Sequence, residues 1–304
     1  MSLPKIHQPF PASDVTLYGA GGKTGLVWHF ATLLRLYNTG EYSPYEEKFR
    51  IGTSAGSIVS VMIDSKLSLE KLLALSLGTD VRLYWKKYNS PKTPDFNAAK
   101  KIPADPLYFL RSVSQLNRPY LRKVLFSLLP DSDHSAVDLE NFVKKATGDK
   151  WPKTPTWITV TERYSGEPAY LTKHSNVSVS KAVTASCALP GVYAPVSVNG
   201  VDYQDGGIFS STYLGSVLPF ASRVTIFTPL LPSKDLRNIK SLTGNFLRTA
   251  SYLSLKKELN LAKELGVPVK LISPRPQEQT LLANSHPMDP SFIAELAEVT
   301  LNPN

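Results

Sequence analysis

The chain has 304 residues, of which 42% are hydrophobic and 19% are charged. This composition is typical of a globular protein with a large core, and it excludes a disordered chain, a coiled coil and a collagen-like fibre. There are 34 basic and 25 acidic residues, giving a net charge of +9, which favours an anionic partner. The one cysteine, Cys187, excludes an intrachain disulfide and a cysteine-based zinc site.

The first 65 residues contain two units in which a short strand is followed by a glycine-containing turn and a helix. The strands are predicted over 14–18 and 49–51. Apolar spacing predicts helices over 26–36 and, in the second unit, as far as Ile63. Two such units in succession indicate a parallel α/β sheet.

Residues 80–130 interrupt this pattern with prolines, and we expect them to be an insertion or cap on a single domain that spans residues 1–304. The other predicted elements are a leucine-rich helix over 66–79, a helix over 137–145, a strand over 157–161, two short strands within 192–203 joined at Asn199-Gly200, strands over 223–227 and 269–272, and helices over 242–265 and 291–301.

The sequence contains no run of about 18 apolar residues that would span a membrane. Its first residues, MSLPKIHQPFPASD, lack the apolar core of a secretory signal peptide. We therefore expect a cytoplasmic protein that associates with membranes only peripherally, if it does so at all.

The strongest local motif is G-x-S-x-G at residues 52–56, between the second strand and its helix. Such a turn lifts a serine hydroxyl, here that of Ser54, clear of the sheet at a helix N-terminus, where developing negative charge is stabilised. Gly52 and Gly56 supply the small neighbours that the turn requires. The alternative is an ordinary strand-to-helix turn made of small residues.

A serine nucleophile needs a base, and none of the five histidines has a recognisable catalytic setting. Asp205 is followed by Gly206 and Gly207, a pattern that by itself is typical of a turn in which the carboxylate caps backbone amides.

The first glycine loop has two interpretations. Gly22-Lys23-Thr24 is similar to the end of a phosphate-binding loop, but that motif needs glycine at the position of Leu17. In the other interpretation Gly21 and Gly22 let backbone N–H groups point at a carbonyl oxygen, with positive charge from Lys23 nearby.

Taken together, these motifs resemble the patatin-like phospholipase family, which carries a glycine-rich loop ending in a basic residue, then G-x-S-x-G, then D-G-G or D-G-A. Here the three blocks are GAGGK (19–23), GTSAG (52–56) and DGG (205–207). The run ASCALP before the third block also fits. One departure is Thr24, which stands where the family usually has glycine.

The resemblance implies a three-layer α/β fold with a central, mostly parallel sheet flanked by helices. It implies a serine–aspartate dyad in which Ser54 is the nucleophile and Asp205 the general base. Backbone amides around Gly21, Gly22 and Lys23 would bind the oxyanion. The implied activity is hydrolysis of fatty-acyl esters of phospholipids or related acyl lipids, as by a phospholipase A, without a metal ion or other cofactor.

The basic excess is concentrated in residues 80–125, which hold ten Lys or Arg, three Asp and seven aromatic residues. This mixture suits an anionic membrane surface, although nucleic acid could use the same residues. A solvated basic face is the simpler alternative. Because a lipid hydrolase must reach an interface, we predict a membrane rather than a nucleic-acid partner.

A second class of function is a catalytically silent protein that docks on a membrane or on a protein partner. Since Ser54 and Asp205 are both present, a lack of catalytic activity would have to come from an unproductive arrangement of these residues. Nucleotide binding is a third hypothesis, which rests only on the glycine loop.

Overall fold

The computed structural model describes residues 12–78, 132, 134–231, 242–283, 287 and 289–302. The predicted cap at 80–130 lies outside these residues. The organisation of residues 1–304 as one domain therefore stays a prediction.

The described residues form one eight-stranded sheet, in which the hydrogen-bonded neighbours follow one another as β5-β6-β3-β2-β1-β7-β8 and β4 also pairs with β3. The strands are β1 (Asp14–Tyr18), β2 (Arg50–Thr53), β3 (Thr156–Glu162), β4 (Pro168–Leu171), β5 (Val196–Val198), β6 (Val201–Asp205), β7 (Arg223–Phe227) and β8 (Val269–Ile272). Strands β3, β2, β1, β7 and β8 run parallel, whereas β4, β5 and β6 pair antiparallel.

The α-helices of the described residues lie between and after these strands. They are α1 (Gly22–Asn38), α2 (Ala55–Met62), α3 (Leu69–Leu77), α4 (Val137–Thr147), α5 (Val179–Ser186), α6 (Leu214–Val217), α7 (Leu242–Glu264), α8 (Pro276–Ala283) and α9 (Ile293–Leu301). Short 3₁₀ turns occupy Pro44–Glu46 and Gly206–Ile208.

Side chains alternate between the two faces of the sheet, so each face has its own hydrophobic core. Tyr18 and Val160 belong to the core shared with α1 to α5, α8 and α9, and Leu17 and Ile51 to the core shared with α6 and α7. The result is the predicted three-layer architecture with a mostly parallel sheet, and that prediction is confirmed.

The sequence located most strands and helices but missed several short elements. The strand Pro168–Leu171 and the helices Val179–Ser186, Leu214–Val217 and Pro276–Ala283 were not predicted. Each is eight residues or shorter, too short for a periodic pattern to stand out. Helix α1 begins at Gly22, four residues earlier than predicted, so the end of the glycine loop forms its first turn.

The amino end of β2 is fixed by a buried cation. The side chain of Arg50 is fully buried and forms ion pairs with Glu47 and with Asp64, the latter at 2.7 Å. It also donates to the carbonyl oxygen of Pro44 at 2.8 Å. Since Asp64 also accepts from the backbone N–H of Thr154 at 2.8 Å, these contacts tie β2 to the segments around it.

Candidate active site

Ser54 follows directly after β2 and has a strained backbone. Its φ and ψ are 53° and −121°, a left-handed conformation that costs a non-glycine residue roughly 1–3 kcal/mol. It is the N-cap residue of α2, and its side chain is nearly buried, with 8% exposure. This is the geometry of the predicted elbow, in which the hydroxyl stands at a helix N-terminus.

The small residues on each side of Ser54 are required by close backbone contacts. A Cβ on Gly56 would lie 2.0 Å from the carbonyl oxygen of Tyr18, at the end of the neighbouring strand β1. A Cβ on Gly52 would lie 2.5 Å from Cα of Ser57. No side chain fits at either position, so the first turn of α2 packs directly against the sheet.

Asp205, the last residue of β6, contacts Ser54. The Ser54 hydroxyl donates to Oδ2 of Asp205 at 2.6 Å. The other carboxylate oxygen, Oδ1, accepts from the backbone N–H of Gly207 at 2.7 Å, as expected of an aspartate that caps a turn. Asp205 is 4% exposed, so this hydrogen bond is almost entirely shielded from water.

The register of β3 explains why the two side chains meet. Ile158 and Thr159 pair with both β2 and β4, whereas Val160 and Thr161 pair with both β4 and β6. A strand has only two edges, so β4 occupies one edge of β3, and β2 and β6 share the other. Thr53 pairs with Thr159 and Asp205 with Val160, so β2 and the antiparallel β6 end against each other at adjacent positions.

Gly206 lies where no side chain would fit, and Gly207 where a side chain would be tightly packed. A Cβ on Gly206 would lie 2.6 Å from the carbonyl oxygen of Thr159. A Cβ on Gly207 would lie 3.0 Å from Oδ1 of Asp205 and 3.3 Å from Cβ of Ala20. The DGG turn is therefore packed between β3 and the glycine loop.

The glycine loop joins the carboxyl end of β1 to α1. The N–H groups of Gly19 and Ala20 donate to the carbonyl oxygens of Phe227 and Ser211, at 2.8 and 2.9 Å. Gly21 and Gly22 stand at the start of α1, where backbone N–H groups lack intrahelical partners. Within the described residues the N–H groups of Gly21 and Gly22 have no hydrogen-bond acceptor.

Lys23 lies in the first turn of α1 and is 3% exposed. Burial lowers the pKa of its ammonium group to about 8. The next residue, Thr24, continues the helix, and its N–H donates to the carbonyl oxygen of Pro287 at 3.0 Å. Thr24, at the position where the resemblance leads us to expect glycine, is therefore an ordinary helical residue.

The described histidines make no hydrogen bond with Ser54. His29 is fully buried on α1, and its Nε2 lies 2.9 Å from the carbonyl oxygen of Gly19. Burial lowers the pKa of His29 to about 4, only partly offset by that hydrogen bond. His134 and His174 are exposed, while His7 and His286 lie outside the described residues.

Two residues to which sequence reasoning assigned no place in the site also touch this pair. The N–H of Ser54 donates to Oγ of Ser186 at 2.9 Å. The N–H of Asp205 donates to the carbonyl oxygen of Ala188 at 3.0 Å. Ser186 and Ala188 both lie in the ASCALP run, and the match of that run to the family was the sequence signal that pointed to them. Nothing in the run itself indicates contact with Ser54 or Asp205.

Cys187 stands between these two residues and is buried. Its Sγ lies 3.8 Å from Oγ of Ser57. Burial, together with the nearby negative charge of Asp205, raises the pKa of the thiol well above its usual range. The thiol therefore stays protonated at physiological pH, and it is a poor nucleophile.

A separate cleft of about 920 Å³ lies at the other end of the sheet. Its lining includes Asp14 and Arg223, the first residues of β1 and β7, which form an exposed ion pair at 2.6 Å. Ser54 follows the carboxyl end of β2, so this cleft is not part of the serine site.

Two further properties of the described residues concern metal binding and membrane spanning. In the described part of the chain, no cluster of three or more His, Cys, Asp or Glu side chains could hold a metal ion. Across the same residues, none of the helices has the length and apolar character needed to cross a membrane. The basic and aromatic segment at 80–125 lies outside the described residues.

Comparison with known proteins bears on the family. A family model described as "Patatin-like phospholipase" matches residues 19–218, which include all three motifs. No curated protein matches this sequence.

Two solved structures also match this chain. VipD from Legionella pneumophila is 11% identical, with a TM-score of 0.40, and the match covers 96% of this chain and 67% of VipD. ExoU from Pseudomonas aeruginosa, solved in complex with SpcU, is 15% identical, with a TM-score of 0.37. That match covers 96% of this chain and 53% of ExoU, so the chain spans about half of the ExoU length.

Proposed function

The chain belongs to the patatin-like phospholipase family, and we propose that it hydrolyses fatty-acyl esters of phospholipids or related acyl lipids through Ser54 and Asp205. Family membership supports lipid hydrolysis in general. The observation that carries the finer assignment is the 2.6 Å hydrogen bond from the Ser54 hydroxyl to Asp205, made at a strained strand-to-helix turn. A carboxylate is a weak base at its reference pKa of about 4, so such close contact is needed for it to act.

In the first half of the proposed reaction, Oγ of Ser54 attacks the ester carbonyl carbon while its proton passes to Oδ2 of Asp205. The resulting tetrahedral intermediate carries a negative charge on the former carbonyl oxygen. When it collapses, the bond to the alcohol oxygen breaks, and the alcohol takes the proton from Asp205. The products of this half are a lysophospholipid or other alcohol and an acyl group esterified to Ser54.

In the second half, water attacks the acyl group and gives its proton to Asp205. The collapse of the second intermediate breaks the bond to Oγ, which takes the proton back from Asp205, and a fatty acid leaves. Asp205 is an acceptor and then a donor in each half. Its second oxygen stays bound to the Gly207 N–H, which holds the carboxylate in one orientation throughout.

The oxyanion of both intermediates would be bound by the backbone N–H groups of Gly21 and Gly22. Two features support this proposal: these groups stand at the N-terminus of a 17-residue helix, and a helix N-terminus favours negative charge. Gly22 has φ +60°, a conformation that glycine adopts without strain. Lys23 adds a cation nearby, and its pKa of about 8 keeps it mostly protonated at neutral pH.

The substrate must reach a site whose two central side chains are almost fully buried. We propose that the basic and aromatic residues in 80–125 bring the protein to an anionic membrane surface. We also propose that the bond cleaved in a phospholipid is a fatty-acyl ester bond, as in a phospholipase A.

Ser54→Ala and Asp205→Asn are the variants that test this function. We expect each to lower ester hydrolysis by about 10³-fold or more, because each removes a group that takes part in bond making or proton transfer. Mass spectrometry of mixed liposomes, incubated with wild type or either variant, measures the products and identifies the substrate class.

Circular dichroism would show that both variants remain folded. Hydrolysis by folded Asp205→Asn at close to the wild-type rate would refute Asp205 as the base. If the wild type releases no fatty acid from any liposome, the result would favour the alternative of a catalytically silent protein that docks on membranes or on a partner.

A further inference from the structure

The three residues Ser186, Cys187 and Ala188, here called the clasp, touch both members of the Ser54–Asp205 pair. Ser186 is the last residue of α5, and Cys187 caps that helix. Oγ of Ser186 accepts from the N–H of Ser54 at 2.9 Å, and the carbonyl oxygen of Ala188 accepts from the N–H of Asp205 at 3.0 Å. One short stretch of chain thus binds both residues.

We infer that the clasp is a positioning device, in which Ser186 holds the Ser54 elbow in its strained conformation and at hydrogen-bond distance from Asp205. This inference rests on the proposed function, because it assigns a role in the reaction of Ser54. Neither Ser186 nor Ala188 touches the reacting atoms in this role, so neither is a catalytic residue.

The need for such a device follows from the sheet. Strands β2 and β6 end against each other along one edge of β3, so no backbone pairing connects Thr53 to Asp205 directly. The carbonyl oxygen of Asp205 accepts from Oγ1 of Thr161 at 3.1 Å, which ties β6 to β3. The clasp supplies the connection between the two strand ends themselves.

Ser186 is well suited to restrain Ser54. Its side chain is fully buried, so its oxygen does not exchange the Ser54 N–H for water. Without that acceptor, a nearly buried N–H would be left without a partner, and the elbow would relax from its unusual φ of 53°. A shift of about 1 Å between reacting groups can cost on the order of 100-fold in rate.

The test is Ser186→Ala, with Ser180→Ala as the matched control. Both serines are fully buried on α5, but Ser180 contacts Ser178 and Asp149 rather than the Ser54–Asp205 pair. We expect Ser186→Ala to lower kcat for a short soluble ester by about 10- to 100-fold with little change in KM. The rate at which a fluorophosphonate labels Ser54 should fall by a similar factor, and Ser180→Ala should keep both rates.

Ser186→Thr keeps a hydroxyl oxygen and should retain most of the rate. If Ser186→Ala fails to fold, Ser186→Cys replaces it, because sulfur is a weaker acceptor than oxygen, and it should label more slowly than Ser186→Thr. Wild-type rates in folded Ser186→Ala, or an equal loss in Ser180→Ala, would overturn the inference alone. Absence of both hydrolysis and Ser54 labelling in the wild type would instead overturn the proposed function.

Discussion

The buried imidazole of His29 should make the stability of this protein depend on pH between about 4 and 6.5. His29 is fully buried and lies edge-on to the rings of Tyr18 and Trp28. Its Nε2 binds the carbonyl oxygen of Gly19, and within the described residues Nδ1 has no hydrogen-bond partner. The geometry fits a neutral ring that donates from Nε2, and protonation would bury a second N–H without an acceptor.

The size of the effect follows from the two pKa values. Burial lowers the pKa of His29 from 6.5 to about 4 in the folded protein. Between these values the unfolded chain binds a proton that the folded chain does not, so the free energy of unfolding falls as the pH falls. At pH 5 the loss relative to pH 8 is about 2 kcal/mol, and it approaches about 3 kcal/mol below pH 4.

His29→Gln isolates this contribution, because glutamine can donate to the Gly19 carbonyl but does not titrate. Urea unfolding followed by circular dichroism gives the free energy of unfolding at several pH values. We expect the wild type to lose about 2 kcal/mol more than His29→Gln between pH 8 and pH 5. The other titrating groups are common to both proteins, so their contributions cancel in the difference.

His174→Gln is the control, since it replaces an exposed imidazole rather than a buried one. If the stabilities of wild type and His29→Gln ran parallel from pH 8 to pH 5, His29 would not be held neutral by burial. The same result would weaken the assignment of Nε2 as the donor to the glycine loop.

Two further predictions concern packing and membrane binding. Gly56→Ala should lower the free energy of unfolding by at least about 2 kcal/mol, because its Cβ would lie 2.0 Å from the Tyr18 carbonyl oxygen. Gly215→Ala, whose Cβ would meet nothing closer than 3.5 Å, should cost far less, and equal losses in urea unfolding would contradict this. Charge reversal in the 80–125 segment should lower the fraction of protein that sediments with anionic liposomes, and the remaining binding should depend less on salt. Hydrolysis of a short soluble ester should barely change, because that substrate needs no interface. Unchanged sedimentation would favour a solvated basic face. The lysines to reverse are Lys86, Lys87, Lys100 and Lys101.

Local sequence determined much of this fold. The apolar strands before glycine turns predicted β1 and β2, and the Asn199-Gly200 turn predicted the pairing of β5 with β6. The three motifs led to the patatin-like family, and the family match confirms that prediction. These features can be predicted because each depends on residues that are close together in the chain. Periodicity identifies strands and helices, and turns need backbone conformations that only certain residues adopt.

The tertiary structure decided how the site is assembled. Ser54 and Asp205 are 151 positions apart, and their contact depends on β2 and β6 sharing one edge of β3. No local pattern encodes which edge a strand occupies. The sequence gives the residue types of the dyad, but the distance between the two side chains is a property of the sheet.

The roles that sequence reasoning did not assign depend on tertiary structure in the same way. Ser186 and Ala188 look like unremarkable small residues, and they acquire a role only because α5 ends beside both β2 and β6. A histidine inside a helix is most often packed or partly exposed, and packing against Tyr18 and Trp28 makes His29 fully buried. Burial and long-range hydrogen bonds decide which polar groups position others, and both exist only once distant segments have packed.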